Sequence, residues 1–176
     1  MYEFNLLVSY SWGAYREAKD EILRILRMLN DENPIVKRTV AMGIMGVKTS
    51  LDPREVVHKL RGMFNKDPFI LQQTMKWVPV DLWTHSDINS MRDAVKVLRS
   101  RIQAGEKWRI TVEKRRYTRY HKIEIITALA ELIDEEVDLE NPDKILRVDI
   151  IGRYAGLSIL KPQDVFSVAK ALLESD

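Results

Sequence analysis

Trp108-Arg109-Ile110-Thr111-Val112-Glu113-Lys114-Arg115-Arg116-Tyr117-Thr118-Arg119-Tyr120 is the stretch on which the reading of this chain turns. Apolar Trp108, Ile110 and Val112 alternate with polar partners, the period-two pattern of a half-buried strand. The strand runs into three consecutive cations and then a tail with two tyrosines. Cations beside aromatic faces offer a polyanion both phosphate contacts and stacking surfaces, a combination suited to nucleic acid. An ordinary solvated strand end explains the same residues equally well in isolation.

Charge around this stretch is sharply segregated. Between Ser86 and Lys122 there are eleven cations and four acids, an excess of seven positive charges. From Ile123 to Asp143 there are eight acids and no base. The net charge of +2 therefore hides two segments of opposite sign. The basic segment suits a polyanion, and the acidic one suits either repulsion from it or a protein partner.

Working outward, the first half alternates strand and helix patterns. Phe4, Leu6 and Val8 predict a strand over Tyr2 to Tyr10. Ala18, Ile22, Ile25 and Leu29 make one helical stripe. The Val-, Ile- and Thr-rich run from Ile35 to Ser50, broken at Met42-Gly43, predicts a hairpin. Asp52 as cap, Pro53 at the first helical position and Glu55 for a capping box start a helix burying Val56, Leu60 and Phe64. Leu71 to Trp83 reads as the last strand. The order strand-helix-strand-strand-helix-strand is ferredoxin-like.

Ser86-Asp87 then caps a helix whose apolar stripe is Ile88, Met91, Val95, Leu98 and Ile102, with Arg92, Lys96 and Arg99 on another face. Most such charged faces are simply solvated, but beside the basic strand end this one extends a track for phosphates. A further helix from His121 to Ile133 is expected to bury Ile123, Ile126, Leu129, Ala130 and Ile133. A hairpin turns at Gly152-Arg153, and a last helix from Pro162 buries Val165, Ala169, Leu172 and Leu173. With no long linker between the halves, they are expected to pack together.

Chemistry-bearing motifs are missing. The chain of 176 residues has no cysteine, so disulfides, thiolate metal sites and a zinc deaminase centre are excluded. His58, His85 and His121 lack metal-ligand spacing. The seven glycines form neither a dinucleotide fingerprint nor a P-loop, and no serine elbow is present. Trp12, Trp77, Trp83 and Trp108 read as core or interdomain filling rather than stacking platforms. No apolar run approaches a membrane span, and Met1-Tyr2-Glu3-Phe4-Asn5 is no secretory signal, so cytoplasm is the default expectation.

The segment Lys107 to Arg116, followed by Val137-Asp138-Leu139-Glu140-Asn141-Pro142-Asp143, Leu146-Arg147-Val148-Asp149-Ile150 and Ala155-Gly156-Leu157-Ser158-Ile159-Leu160, resembles the THUMP domain, an RNA-binding module of tRNA-modifying proteins. The likeness covers the second half of the chain. Tyr117 to His121 depart from the Gly- or Ser-containing loop that many THUMP sequences carry there. The resemblance, with the element order of the first half, implies an α+β fold class: a ferredoxin-like domain over residues 1–85 is expected to pack on a THUMP domain over 86–176.

The resemblance implies tRNA as partner, gripped at its acceptor stem and 3′ end by Arg92, Lys96, Arg99, Lys107, Arg109, Lys114, Arg115, Arg116, Tyr117, Arg119, Lys122 and Arg147. THUMP domains usually accompany a catalytic domain, and none is legible here. The branch most similar is the stand-alone type that assists tRNA cytidine acetyltransferase in forming N4-acetylcytidine. It implies no cofactor and no catalytic residue of the chain's own. A general RNA-binding module, or a protein adaptor using the acidic segment, stays open.

Overall fold

The computed structural model describes residues 1–174 and divides into two compact units, residues 3–79 with 163–174 and residues 1–2 with 80–162. The first unit holds β1 (Leu6–Tyr10), α1 (Tyr15–Met28), β2 (Ile35–Arg38), β3 (Ile44–Lys48), α2 (Pro53–Lys66) and β4 (Thr74–Pro79). These strands form an antiparallel sheet in the order β2-β3-β1-β4, the split βαβ arrangement expected from the element order.

The helices form for the reasons legible in sequence. Ala18, Ile22 and Ile25 of α1 are fully buried against the sheet, as are Val57 and Leu60 of α2. The Asp52 carboxylate accepts from the Arg54 amide at 2.9 Å, capping α2 behind Pro53. In β3, Gly46 is required by contact rather than by conformation. The Phe4 ring lies about 2.0 Å from where a Cβ would sit, so any side chain would displace it.

Two polar groups buried in this unit escaped the sequence reading. The Glu21 carboxylate, on the buried face of α1, accepts from the amides of Gln72, Gln73 and Thr74 and fixes the entry to β4. Asp31 accepts from the Thr49 hydroxyl at 2.5 Å and from the Ser50 amide and hydroxyl. Each satisfies backbone donors that the loops would otherwise leave unpaired.

The second unit holds β5 (Leu82–His85), α3 (Ile88–Leu98), β6 (Trp108–Arg115), α4 (Lys122–Ala130), β7 (Lys144–Ile151) and β8 (Tyr154–Leu160). Its sheet order is β5-β8-β7-β6, with β6 and β7 parallel and the rest antiparallel. The parallel pair needs a crossover, which α4 and the acidic segment supply. Trp108, Val112, Leu146, Val148 and Ile150 bury one face of the sheet against Met91, Val95 and Leu98 of α3 and Ile125 and Leu129 of α4.

Several sequence expectations are revised. The run from Leu71 to Trp83 is two strands: β4 pairs with β1, whereas β5 pairs with β8 in the other sheet. On α4, Ile125 is fully buried and Ile123 is 67 % exposed, because the inward face of the helix runs through Ile125 and Leu129, one turn apart, and Ile123 falls off it. Residues 162–164 are a single 3-10 turn, followed by β9 (Phe166–Ser167) and α5 (Val168–Glu174). β9 adds to β4, and Phe166 packs edge-on to Phe64 with centroids 5.4 Å apart. Leu172 and Leu173, expected in a core, are exposed.

This C-terminal return differs from a division at residue 85, and three polar groups account for it. The carboxylate of buried Asp164 pairs with His58 at 2.9 Å and with Arg54 at 3.6 Å. Arg61 donates to the carbonyls of Gln163 and Val165 at 2.7 and 3.0 Å. All three basic partners lie on α2, so the last segment belongs with the first sheet.

Candidate nucleic-acid interface

The basic strand end is closed on both sides. Arg115 is the last residue of β6, and its carbonyl accepts from the Gly152 amide at 2.9 Å, in the turn joining β7 to β8. Arg116 follows with φ +58°, a left-handed conformation that turns the chain sharply out of the sheet. The loop that results is anchored rather than free. Lys114 donates to the Tyr120 carbonyl at 2.8 Å, and the Tyr117 hydroxyl donates to the Ser86 carbonyl at 2.6 Å. Burial pushes the Tyr117 phenol above its ordinary value, aided by Tyr120 nearby, so it stays neutral.

Two helix starts converge on this end. The Ser86 amide and hydroxyl bond the Arg153 and Gly152 carbonyls, just before α3. Asp87 caps α3 by accepting from the Ser90 amide at 2.8 Å. That bond, then the Ser90 hydroxyl, holds its carboxyl below the ordinary value, with Arg119 contributing. α4 starts at His121 through a capping box, the His121 amide donating to Glu124 at 3.1 Å.

Around these starts Arg116, Arg119 and Lys122 are exposed and Arg115 is half-buried, with the Arg119 guanidinium 5.3 Å from the centroid of the Tyr120 ring. Arg153, which the sequence marked only as a hairpin turn, joins them from the Gly152 side. The register pairing Arg115 with Ile151 is what brings it there. No residue spacing signals this, because it depends on the parallel register of two strands that are far apart in the chain. The local field is positive, and the two helix N-termini add to it.

The remaining predicted contacts lie elsewhere. Arg92 donates to the Ala128 carbonyl and to Glu131, and Arg99 to the Leu132 carbonyl at 3.1 Å. Both guanidiniums thus cap the C-terminal end of α4, although Arg99 stays exposed, and Lys96, also exposed, lies 3.9 Å from Asp93. Lys107 and Arg109 lie at the other end of β6, roughly 23 Å away at strand rise. The Lys107 amide donates to Asp143 at 2.8 Å, and the Arg109 guanidinium to the Leu139 carbonyl at 2.8 Å. Arg147 forms a nearly buried bidentate pair with Asp149, at 2.9 and 3.1 Å. The acidic segment is likewise engaged: Asp138 accepts from the amides of Glu140 and Asn141, and the Trp108 indole donates to the Glu135 carbonyl.

The chain also presents an aromatic group that the sequence reading placed inside. Trp77 and Trp108 are buried, but Trp12 is 76 % exposed in the loop between β1 and α1. Among the described residues, no helix is long and apolar enough to cross a membrane.

Residues 86–160 match the family model described as the THUMP domain. No curated protein sequence matches the chain. Among solved structures, it resembles PH1313 from Pyrococcus horikoshii Ot3 with TM-score 0.64 and 16 % identity, over 90 % of this chain and 55 % of that one. It resembles TrmN from Thermus thermophilus with TM-score 0.61 and 14 % identity, over 90 % of this chain and 46 % of that one. It also resembles a 4-thiouridine synthetase solved with RNA and ATP, with TM-score 0.57 and 16 % identity, over 94 % and 42 %. The chain spans about half the length of these structures, and at such identity the likeness concerns the fold. With the matched segment running from the cap of α3 to the end of β8, residues 86–160 are a THUMP domain.

Proposed function

We propose that this chain binds tRNA in the cytoplasm at the acceptor stem and single-stranded 3′ end, and presents it to a separate modifying enzyme. The observation that carries the reading is the cluster of Arg115, Arg116, Arg119, Lys122 and Arg153 where β6 leaves the sheet of a THUMP domain. Cations mounted on a strand end and on helix starts are held in register, so phosphates meet a preformed surface rather than long flexible side chains alone. A-form stems are recognised through shape and phosphate contacts, and single strands by basic grooves with stacking. The RNA-bound 4-thiouridine synthetase, whose fold is similar, supports RNA as the polyanion.

The enzyme served, on this reading, is the tRNA cytidine acetyltransferase, which brings the acetyl-CoA and ATP chemistry of N4-acetylcytidine formation. No catalytic role is assigned to the chain itself. The test is binding of purified protein to tRNA lacking its terminal CCA and to tRNA lacking its anticodon arm. Loss of CCA is expected to weaken binding more, and the protein with tRNA, acetyl-CoA and ATP alone is expected to yield no acetylcytidine by mass spectrometry. Equal losses from the two truncations would favour a general RNA-binding module, and product formed without added enzyme would overturn the non-catalytic reading.

A further inference from the structure

We infer that the loop tips of the first sheet form a second RNA contact, at which one single-stranded nucleotide stacks on Trp12 and is held through its phosphate by Arg38 and Arg16. The site lies within the first unit and rests on the tRNA-binding reading, which it deepens by naming a nucleotide subsite outside the THUMP domain.

The observation is an aromatic and apolar rim that the fold does not use. Trp12 is 76 % exposed and Met42 70 % exposed, at the tips of the β1–α1 and β2–β3 connections. Leaving a tryptophan in water forgoes the free energy that burial would give it, and neither residue contributes to the core. Both tips are nonetheless firmly built. The Ala14 amide donates to the Ser11 carbonyl and the Ser11 amide to the Gln73 carbonyl, at 3.0 and 3.1 Å. The Thr39 hydroxyl spans its loop by donating to the Ile44 carbonyl at 2.9 Å, and the Tyr10 amide donates to the Gly43 carbonyl at 3.0 Å. Gly13 and Gly43, with φ of +85° and +84°, permit these turns. The rim is held in place before any ligand arrives.

Between the tips lies a cavity of about 270 Å³ lined by Trp12, Tyr15, Arg38 and Met42, small against sites that enclose drug-sized ligands. It shares Gly13, Tyr15 and Arg38 with a second hollow of about 580 Å³ that Arg16 and Lys19 line, together with Glu17 and Asp20. The Arg38 guanidinium stacks on the Tyr15 ring at 3.9 Å from its centroid, so a cation stands ready at the seam between the two. A planar π surface next to a stacked guanidinium, with further bases alongside, matches a nucleobase with its 5′ phosphate. A protein partner would find apolar area here limited to Trp12, Val40 and Met42, far below what a stable interface requires.

The test is equilibrium binding of the full chain to intact tRNA and to an unstructured twelve-nucleotide RNA, for the parent, Trp12→Ala, Trp12→Phe and Arg16→Glu. Removing one stacked base should weaken both RNAs roughly 5- to 100-fold in Trp12→Ala, with the salt dependence unchanged because stacking is not ionic. Trp12→Phe should restore most of the loss, and Arg16→Glu should weaken binding with a shallower salt dependence. Melting temperatures report folding, and Arg16→Glu, an exposed change, keeps the test decisive if Trp12→Ala melts early. If the parent binds tRNA and both Trp12→Ala and Arg16→Glu bind as it does, the subsite is refuted and the tRNA reading stands. If the parent binds no tRNA at all, both fall.

Discussion

The strand-end cluster separates RNA affinity from stability in a way that a single variant can expose. Consider Arg115→Ala, Arg116→Gly and Arg119→Ala combined, with Lys114 left intact. Lys114 is retained because its ammonium donates to the Tyr120 carbonyl, so removing it would loosen the loop and confuse the two effects. Arg115 and Arg119 make no contact that holds the core, and replacing them should change stability by no more than ~0.5 kcal/mol each. Arg116 has φ +58°, a conformation costing a side chain about 1–2 kcal/mol, which glycine removes. Glycine's greater freedom in the unfolded chain returns about 0.5–1 kcal/mol of that gain. The sum stays within about 1 kcal/mol, a shift of roughly 2–4 °C in melting temperature. RNA binding should behave very differently. Each lost phosphate contact flattens the slope of log affinity against log salt by roughly one unit, so three contacts flatten it by about three and cost at least about tenfold in affinity. Thermal melts and fluorescence-anisotropy titrations at several salt concentrations read both quantities on one preparation. Arg116→Val is the control, because it loses one charge and keeps the strain on a β-branched side chain, so it should melt earlier than Arg116→Gly. Parent-like affinity and slope in the triple variant would refute the assignment of this surface, and a fall of more than about 10 °C would show that the cluster belongs to the fold.

Trp108→Ala should behave in the opposite sense. Trp108 is 1 % exposed and its indole donates to the Glu135 carbonyl at 2.8 Å, so truncation should destabilise by ~3–5 kcal/mol in urea denaturation; a loss under 1 kcal/mol would deny it a core role. Asp31→Asn tests the buried carboxylate behind β3. Burial alone would raise the Asp31 carboxyl, but hydrogen bonds from Thr49, Ser50 and Asn33 outweigh it and hold the group below its ordinary 3.8. A depressed carboxyl contributes stability above the unfolded value and loses it as pH falls through the folded value. The stability gap between parent and Asp31→Asn should therefore be wide at pH 7 and shrink as pH falls below the ordinary 3.8 and through the lower folded value; a gap constant with pH would contradict the hydrogen-bonded anion.

Periodicity and local chemistry carried the secondary structure a long way. The stripes of α1, α2 and α3, the Asp52 and Asp87 caps and the Gly152-Arg153 hairpin are all local consequences of residue spacing, and the element order of the first half follows from them. The run Trp108 to Arg116 announced both a strand and a cationic end, because alternation and charge are properties of neighbouring residues. What spacing could not say is which partner each polar group would find. Arg92, Arg99 and Arg147 look in sequence like Arg115, Arg116 and Arg119, yet the first three are held by the Ala128 and Leu132 carbonyls, Glu131 and Asp149. A hydrogen bond across 33 residues, or across the 102 between Arg61 and Gln163, depends on where the chain returns. Trp12 shows the same limit from the apolar side: hydrophobicity argues for burial, but a turn built on Gly13 and anchored to Gln73 holds the ring in solvent. Local pattern decides whether a segment is helix or strand, because that choice is made over a few residues. Exposure and pairing are settled only when segments far apart in the chain are packed together, because only then does each side chain meet, or fail to meet, its partner.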